Sequence, residues 1–391
     1  MPDSQRLYHD DSRLCSFDAT VARHGEHHGR ASVVLEATAF YPEAGGQMAD
    51  HGQLGGVEVV DVQVEDSGSI HHHLDGPLPA VGATVRGEVD WERRRCHRAL
   101  HTGQHILSRA LLDVARAHTV SSRLGETACT IDIDQRQLEE AVLAEVVQVA
   151  NDVIDADLPV RAYFPTADEL RGLELRRPSK VTDHVRVVQI GELDVTPCGG
   201  THCERTAQVG LVVVSGVERH KRRVRITFAA GGRARRQCRE ETKVLHQLAT
   251  RFSCAALGVP AAVDSLSREL RAARDEGKRA QAELAARIAA ELLGQGTVDG
   301  RVVALIDGGT VDLLRAVAAR LTAEPGAVAL LAAAEAEGMR VVVARSADSD
   351  FECGAFVKRL AASTGGRGGG RSDHAEGRLP AETDWEKLAR G

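Results

Sequence analysis

A chain of 391 residues exceeds one ordinary hydrophobic core, so two or three domains are expected. Hydrophobic residues make up 43% and charged residues 27%, but aromatics only 3%, so Val, Leu, Ile and Ala must fill the cores. The formal net charge of -7 excludes a surface coated in positive charge, though not local basic patches.

The eight cysteines show no framework spacing and read as reduced thiols of a cytosolic protein. The opening MPDSQRLYHDDSRLCSF has no apolar core of a signal peptide. The longest apolar run, GAVALLAAAEAEGMRVVVA, is broken by charges and glycine, so no membrane span is expected and the location reads as cytoplasmic.

Residues 1–90 are strand-like. ASVVLEAT, VEVVDVQVED and ATVRGEVD alternate or are β-branched, with glycine-rich turns between them, and predict a small β-barrel or curled sheet. FYPEAGGQMADHGQLGG lies between the first two. The period then changes. WERRRCHRALHTGQHILSRALLDVARAH is helical, ACTIDID a strand, and QLEEAVLAEVVQVANDVIDAD a second amphipathic helix. PVRAYFP, HVRVVQIG, GLVVVSGVE and RRVRITFAAG are further strands, so residues 91–240 read as an α+β domain. Residues 241–297 form a helical arm, a spacer or dimerisation element, ended by Gly294, Gly296 and Gly300. Residues 298–391 alternate strand and helix as a small α/β domain.

Two short pairs carry the chemistry. His101 and His105 stand one helical turn apart on one face. Cys198 and His202 flank a Gly199-Gly200 bend. Three nitrogens and one sulfur are the donor set that Zn²⁺ takes in tetrahedral sites, so one zinc ion per chain is expected. His97, one turn earlier on the helix, and Cys203, next to His202, are alternative or supporting groups. Four protein ligands normally close a zinc site, so activating water would need a fifth position or ligand exchange.

HTGQH together with CGGTH resembles the editing domain of alanyl-tRNA synthetase and the free-standing AlaX-type trans-editing proteins, and a related domain occurs in threonyl-tRNA synthetase. FYPEAGGQMADHG is similar to that family's glycine-rich motif, which makes Gly45, Gly46 and Gln47 candidate substrate contacts. SSRLGETACTIDID resembles the strand that lines the amino-acid pocket, with hydroxyls at Ser121, Ser122, Thr127 and Thr130, of which Ser122 and Thr130 are the chosen candidates. GGRGGGRSDHAEG looks like the glycine-rich signature of the synthetase's C-terminal domain, a loop in which Arg367 and Arg371 would grip tRNA. No aminoacylation domain is recognised.

The resemblance implies a trans-editing hydrolase that cleaves the aminoacyl ester of alanine tRNA mischarged with serine, and with glycine. A site for one small side chain discriminates by only a few kcal/mol, so a second, hydrolytic sieve is needed. The metal would anchor the aminoacyl adenosine or, alternatively, activate water. The basic residues are clustered: Arg93, Arg94, Arg95 and Arg98 before the histidine pair, Arg219, Lys221, Arg222, Arg223 and Arg225 after the last strands, then Arg233, Arg235 and Arg236. They are expected to track tRNA phosphates, with Arg93, Arg94, Arg95, Arg222, Arg223 and Arg235 the chosen contacts. Two rival readings are a zinc-stabilised tRNA-binding module without turnover and an editing protein for another aminoacyl-tRNA. A homodimer through the helical arm or the C-terminal domain completes the expectations.

Overall fold

The strand-like opening closes on itself. In the computed structural model, which describes residues 4–179, 181, 184–336 and 338–390, six antiparallel strands pair in a ring: Ser16–His27, Arg30–Leu35, Ile70–Leu74, Val57–Val64, Gly52–Leu54 and Thr84–Val89, which returns to the first. The alternation dictates this. Phe17, Ala19 and Val21 point inward while Ser16 and Asp18 face solvent, and Val33, Val59, Val62, Ile70 and Phe40 complete the buried cluster. The glycine-rich motif is the excursion between Arg30–Leu35 and Gly52–Leu54.

Asp90 then starts the histidine helix, Trp91–Ala115, by accepting a hydrogen bond from the Arg93 backbone N–H, and Arg116 ends it in the left-handed region. This helix is buried on most of its circumference. It lies on a four-stranded antiparallel sheet ordered Val212–His220, Arg223–Ala230, Cys129–Ile133, Thr119–Leu124. Helix Glu140–Asp155 packs beside it, and Leu100, Leu107, Leu111, Ile131, Ile154 and Phe228 form the shared core. Gly103 permits the close crossing, because a Cβ there would sit 2.9 Å from the Ala230 Cβ. A three-stranded antiparallel sheet, Val160–Tyr163, Val187–Ile190 and Asp194–Pro197, delivers the chain into Cys198.

The backbone divides into two compact units, Met1–His246 and Gln247–Gly391, with the division inside helix Gly231–Arg251. In the second unit, helix Val259–Gly294 starts with Pro260 in its first turn. A five-stranded sheet follows, ordered Arg301–Leu305, Val328–Glu335, Gly338–Arg345, His374–Leu379, Arg367–Gly370. Ala285 and Ala289 of the long helix join Leu314, Val317 and Leu331 on one face, while Phe356, Val357, Leu360 and Trp385 cover the other. Only the first strand pair is parallel, across helix Val311–Leu321; the others pair antiparallel. The chain as a whole is mixed α+β.

The centre of the glycine run, Arg367–Gly370, is an edge strand here and not a loop. Its glycines permit close packing: a Cβ on Gly368 would lie 2.6 Å from a Val357 methyl, and one on Gly370 2.4 Å from the Ala375 Cα. Among the described residues no helix is long and apolar enough to cross a membrane.

Candidate metal centre

The histidine helix and the loop after Asp194–Pro197 bring His101, His105, Cys198 and His202 together, with their ligand atoms all within 4.8 Å of one another, in a cluster that could hold a metal ion. The Cys198 Sγ stands 3.4 Å from the Nε2 atoms of both His101 and His202. Bonds of about 2.0 Å to nitrogen and about 2.3 Å to sulfur give a tetrahedral edge of about 3.5 Å, so the spacing fits. All three imidazoles are at most 3% exposed.

His101 and His202 are each aimed by a partner on the other nitrogen, whereas the buried His105 Nδ1 has no hydrogen-bonding partner. His101 Nδ1 donates to Gln47 Oε1 at 2.8 Å, which frees Nε2 to face the cluster. His202 Nδ1 lies 3.2 Å from the Thr102 hydroxyl. His105 Nδ1 faces Asp194 Oδ2 at 3.9 Å, and Asp194 is itself fixed by Arg176 at 2.7 Å and the Thr196 hydroxyl at 2.9 Å. Two arginines clamp the loop. Arg186 donates to the Cys198 and Gly200 carbonyls at 3.0 and 2.9 Å, and Arg98 to the His202 carbonyl at 2.7 Å.

Protonation also favours a cation. Burial holds the His101 ring down at about 3 and His202 at about 4, and drives His105 well below its ordinary value, so all three lone pairs stay free. Burial pushes the Cys198 thiol up, but His202, the Gly200 N–H and Arg186 together leave it below its ordinary value. A thiolate among neutral imidazoles is the form that binds metal.

Of the glycine pair, Gly200 is the indispensable member. A Cβ there would stand 2.1 Å from His101 Cε1, whereas at Gly199 the nearest atom is His9 Nε2 at 4.0 Å. His97 and Cys203 lie outside the cluster: both are buried, and burial lowers the His97 ring to about 4 and raises the Cys203 thiol.

The remaining candidates divide. Gly46 (φ +88°) presses on strand Thr119–Leu124, where a Cβ would lie 2.5 Å from the Ser122 carbonyl oxygen, and Gly45 (φ +59°) supplies only the turn. Gln47 is not free to read a substrate. It is fully buried, and its amide is spent on His101 and on the Thr201 backbone and hydroxyl. Ser122 and Thr130 are half-buried on adjacent strands. Arg94 corrects an expectation: it is fully buried, bound to Asp50 at 3.0 Å and to the Ser12 carbonyl at 2.9 Å, and offers nothing to RNA. Asp50, which also accepts from the Tyr41 N–H, thereby locks the glycine-rich motif to the histidine helix.

Arg93, whose side chain is 11% exposed, pairs with Glu126 and donates to the Ala49 carbonyl at 2.8 Å, while Arg95 is exposed and pairs with Glu92. Arg222 and Arg223 are exposed at the tip of the hairpin between Val212–His220 and Arg223–Ala230, and Arg235 is exposed on the helix that follows it. Arg367 and Arg371 are exposed at the edge strand, Arg371 beside Asp373 at 3.1 Å. Sequence reasoning missed Thr102, although it stands within HTGQH, and missed Arg186 and Asp194, which carry no local signal.

Three segments match described families: residues 13–93, class II (A) tRNA synthetases; residues 185–227, the threonyl and alanyl tRNA synthetase second additional domain; and residues 299–390, the DHHA1 domain. The alanine–tRNA ligase of Halorubrum lacusprofundi is 34% identical over 395 residues, covering 97% of this chain and 42% of the ligase. That of Thermococcus kodakarensis is 34% identical over 393 residues, with the same two coverages. The alanyl-tRNA editing protein AlaX-L of Pyrococcus horikoshii is 35% identical over 239 residues, 59% of each chain. The chain thus spans about half the length of the curated relatives it matches. With the two motifs joined in one cluster, the chain is homologous to alanine–tRNA ligases along nearly its whole length and to an AlaX-type editing protein over 59% of it.

Proposed function

We propose that the chain is a trans-editing hydrolase that deacylates alanine tRNA mischarged with serine, and with glycine, and that its centre binds one Zn²⁺. The observation that carries this is the convergence of His101, His105, Cys198 and His202, with the first and last aimed by Gln47 and Thr102, in a homologue of an editing protein. Water adds to the ester carbonyl, the carbonyl–ribose oxygen bond breaks, and the amino acid and the hydroxyl of the terminal adenosine leave. When bound, zinc supplies a fixed positive charge to which an aminoacyl adenosine can anchor. Gly45 and Gly46 shape the backbone beside the pocket, and the Ser122 and Thr130 hydroxyls read the small side chain. Arg93, Arg95, Arg222, Arg223, Arg235, Arg367 and Arg371 contact the tRNA.

We further propose four regions: a barrel over 1–90, the editing domain over 91–240, a helical arm over 241–297 and a tRNA-binding C-terminal domain over 298–391, in a cytoplasmic protein. Val263, Leu266 and Leu270, all exposed on the long helix, support a homodimer through the arm. One observation favours a second reading. Four protein donors close a zinc site, which suits a tRNA-binding module without turnover.

Deacylation of Ser-tRNA(Ala), Gly-tRNA(Ala) and Ala-tRNA(Ala), with zinc measured on the same sample, tests this. Loss of serine with alanine spared is expected. Stoichiometric zinc and tight tRNA binding without turnover would leave the binding module standing.

A further inference from the structure

The chain has seven phenylalanines, and Phe164 alone is exposed, at 47%; the other six are buried or partly buried. A single exposed apolar side chain is ordinary, but the surroundings of this one are not. It is held firmly. It follows strand Val160–Tyr163, whose Tyr163 hydroxyl donates to Gln189 Oε1 at 3.2 Å. Pro165 behind it restricts its backbone to extended conformations, and a capping box between Thr166 and Glu169 starts the next helix.

Its ring meets His9, with centroids 5.7 Å apart and planes tilted by 58°. The two rings therefore form a corner. His9 lies in the short helix Leu7–Asp10, and its ring hydrogen-bonds to the backbone of Gly199, between Cys198 and Gly200. Its carbonyl accepts from Arg186 at 3.4 Å, the same arginine that holds the Cys198 and Gly200 carbonyls. Buried Tyr8 backs the ring edge-on, with centroids 4.7 Å apart. The aromatic corner is thus built on the loop that carries two of the metal-site residues. A cation stands on that loop as well. Arg177 is exposed, donates to the carbonyl of Pro197 at 3.2 Å and has no carboxylate partner among the described residues. Its charge reaches the cluster, where it disfavours a proton on His101.

We propose that the His9–Phe164 corner seats the terminal adenine of the tRNA, with Phe164 stacked on the face of the base, His9 against its edge and Arg177 on the phosphate that precedes it. Aromatic rings hold a splayed single-stranded base by stacking, and a second ring meeting it edge to face fixes its plane. The ester is on the ribose of this nucleotide, so a base held beside Gly199 brings the ester to the loop of Cys198 and His202. The inference rests on the reading of the chain as a protein that handles aminoacylated tRNA.

The zinc-loaded full chain is titrated with uncharged alanine tRNA carrying 2-aminopurine in place of the terminal adenine, as wild type, F164A, F164W and R177Q. Fluorescence quenching is expected with the wild type and F164W. It should be lost in F164A, with affinity weaker by about 5- to 150-fold. The same tRNA without its terminal nucleotide is expected to bind the wild type and F164A alike, which a merely structural role of Phe164 would not produce. R177Q is expected to keep the quench and to make the slope of log K on log salt shallower by about 1. No quench in the wild type, a full quench in F164A, or an equal loss of affinity for the truncated tRNA overturns the corner. An unchanged slope in R177Q overturns the share of the arginine. Deacylation on the same samples keeps the two readings apart. An inactive wild type that quenches fails only the hydrolase, and an active wild type without quenching fails only the corner.

Discussion

Replacing Gly200 by alanine should dismantle the metal centre. The new Cβ would stand 2.1 Å from His101 Cε1, 2.3 Å from its Nδ1 and 3.0 Å from Gln47 Oε1. Carbon contacts settle at about 3.5 Å, so the ring or the loop must yield by about 1.4 Å. The ring has little room, being 3% exposed with its Nδ1 bound to Gln47. The loop is held by Arg186 on both sides of Gly199 and by Arg98 at His202. Metal bonds tolerate about 0.2 Å, so a displacement several times larger removes at least one ligand. Losing an orienting contact alone lowers metal affinity about 10–100-fold, and losing a ligand lowers it further. Overpacking adds about 1–3 kcal/mol of destabilisation, even before metal-linked stability is lost. The assay is metal content after dialysis, with competition against a chromophoric chelator and a melting curve. Gly199→Ala is the control and should retain metal, because its nearest neighbour is 4.0 Å away. Gly200→Ala with stoichiometric metal at wild-type affinity, or equal damage from Gly199→Ala, would refute the reasoning.

Gln47→Leu should lower metal affinity about 10–100-fold, because His101 Nδ1 loses its acceptor; chelator competition reads it, and unchanged affinity would show that packing alone aims the ring. Arg94→Ala should cost about 3–5 kcal/mol in urea unfolding, since it strands Asp50 as an unpaired buried charge. A loss below about 1 kcal/mol would mean that water reaches the pair. Burial holds His72 at about 4 against an ordinary 6.5, so its folded state binds fewer protons than its unfolded state below pH 6.5. Its contribution is therefore complete above about pH 6.5 and declines as pH falls toward about 4, by up to about 1.4 kcal/mol per pH unit. His72→Gln should flatten the urea-stability profile in that window by up to one proton, and an identical slope would show that other groups set it.

The sequence alone determined what depends on neighbours along the chain. Period-two alternation in residues 16–89 specifies strands with one buried face, which then close into a barrel. A spacing of four on a helix puts His101 and His105 on one face, and the paired motif marks Cys198 and His202 as their complement. Only the tertiary structure decided what each charge and amide is for. Arg93, Arg94 and Arg95 look alike in the sequence, yet Arg94 is sealed against Asp50, Arg93 is mostly buried against the Ala49 carbonyl and Glu126, and only Arg95 stands at the surface. Gln47 reads as a substrate contact until the fold brings His101, 54 residues away, within hydrogen-bonding reach. GGRGGGR reads as a loop until helix Cys353–Thr364 packs on its centre, Arg367–Gly370, as an edge strand. The reason is physical. Backbone periodicity is set by local sterics and side-chain spacing, whereas the state of a charge or amide is set by which distant groups exclude water from it.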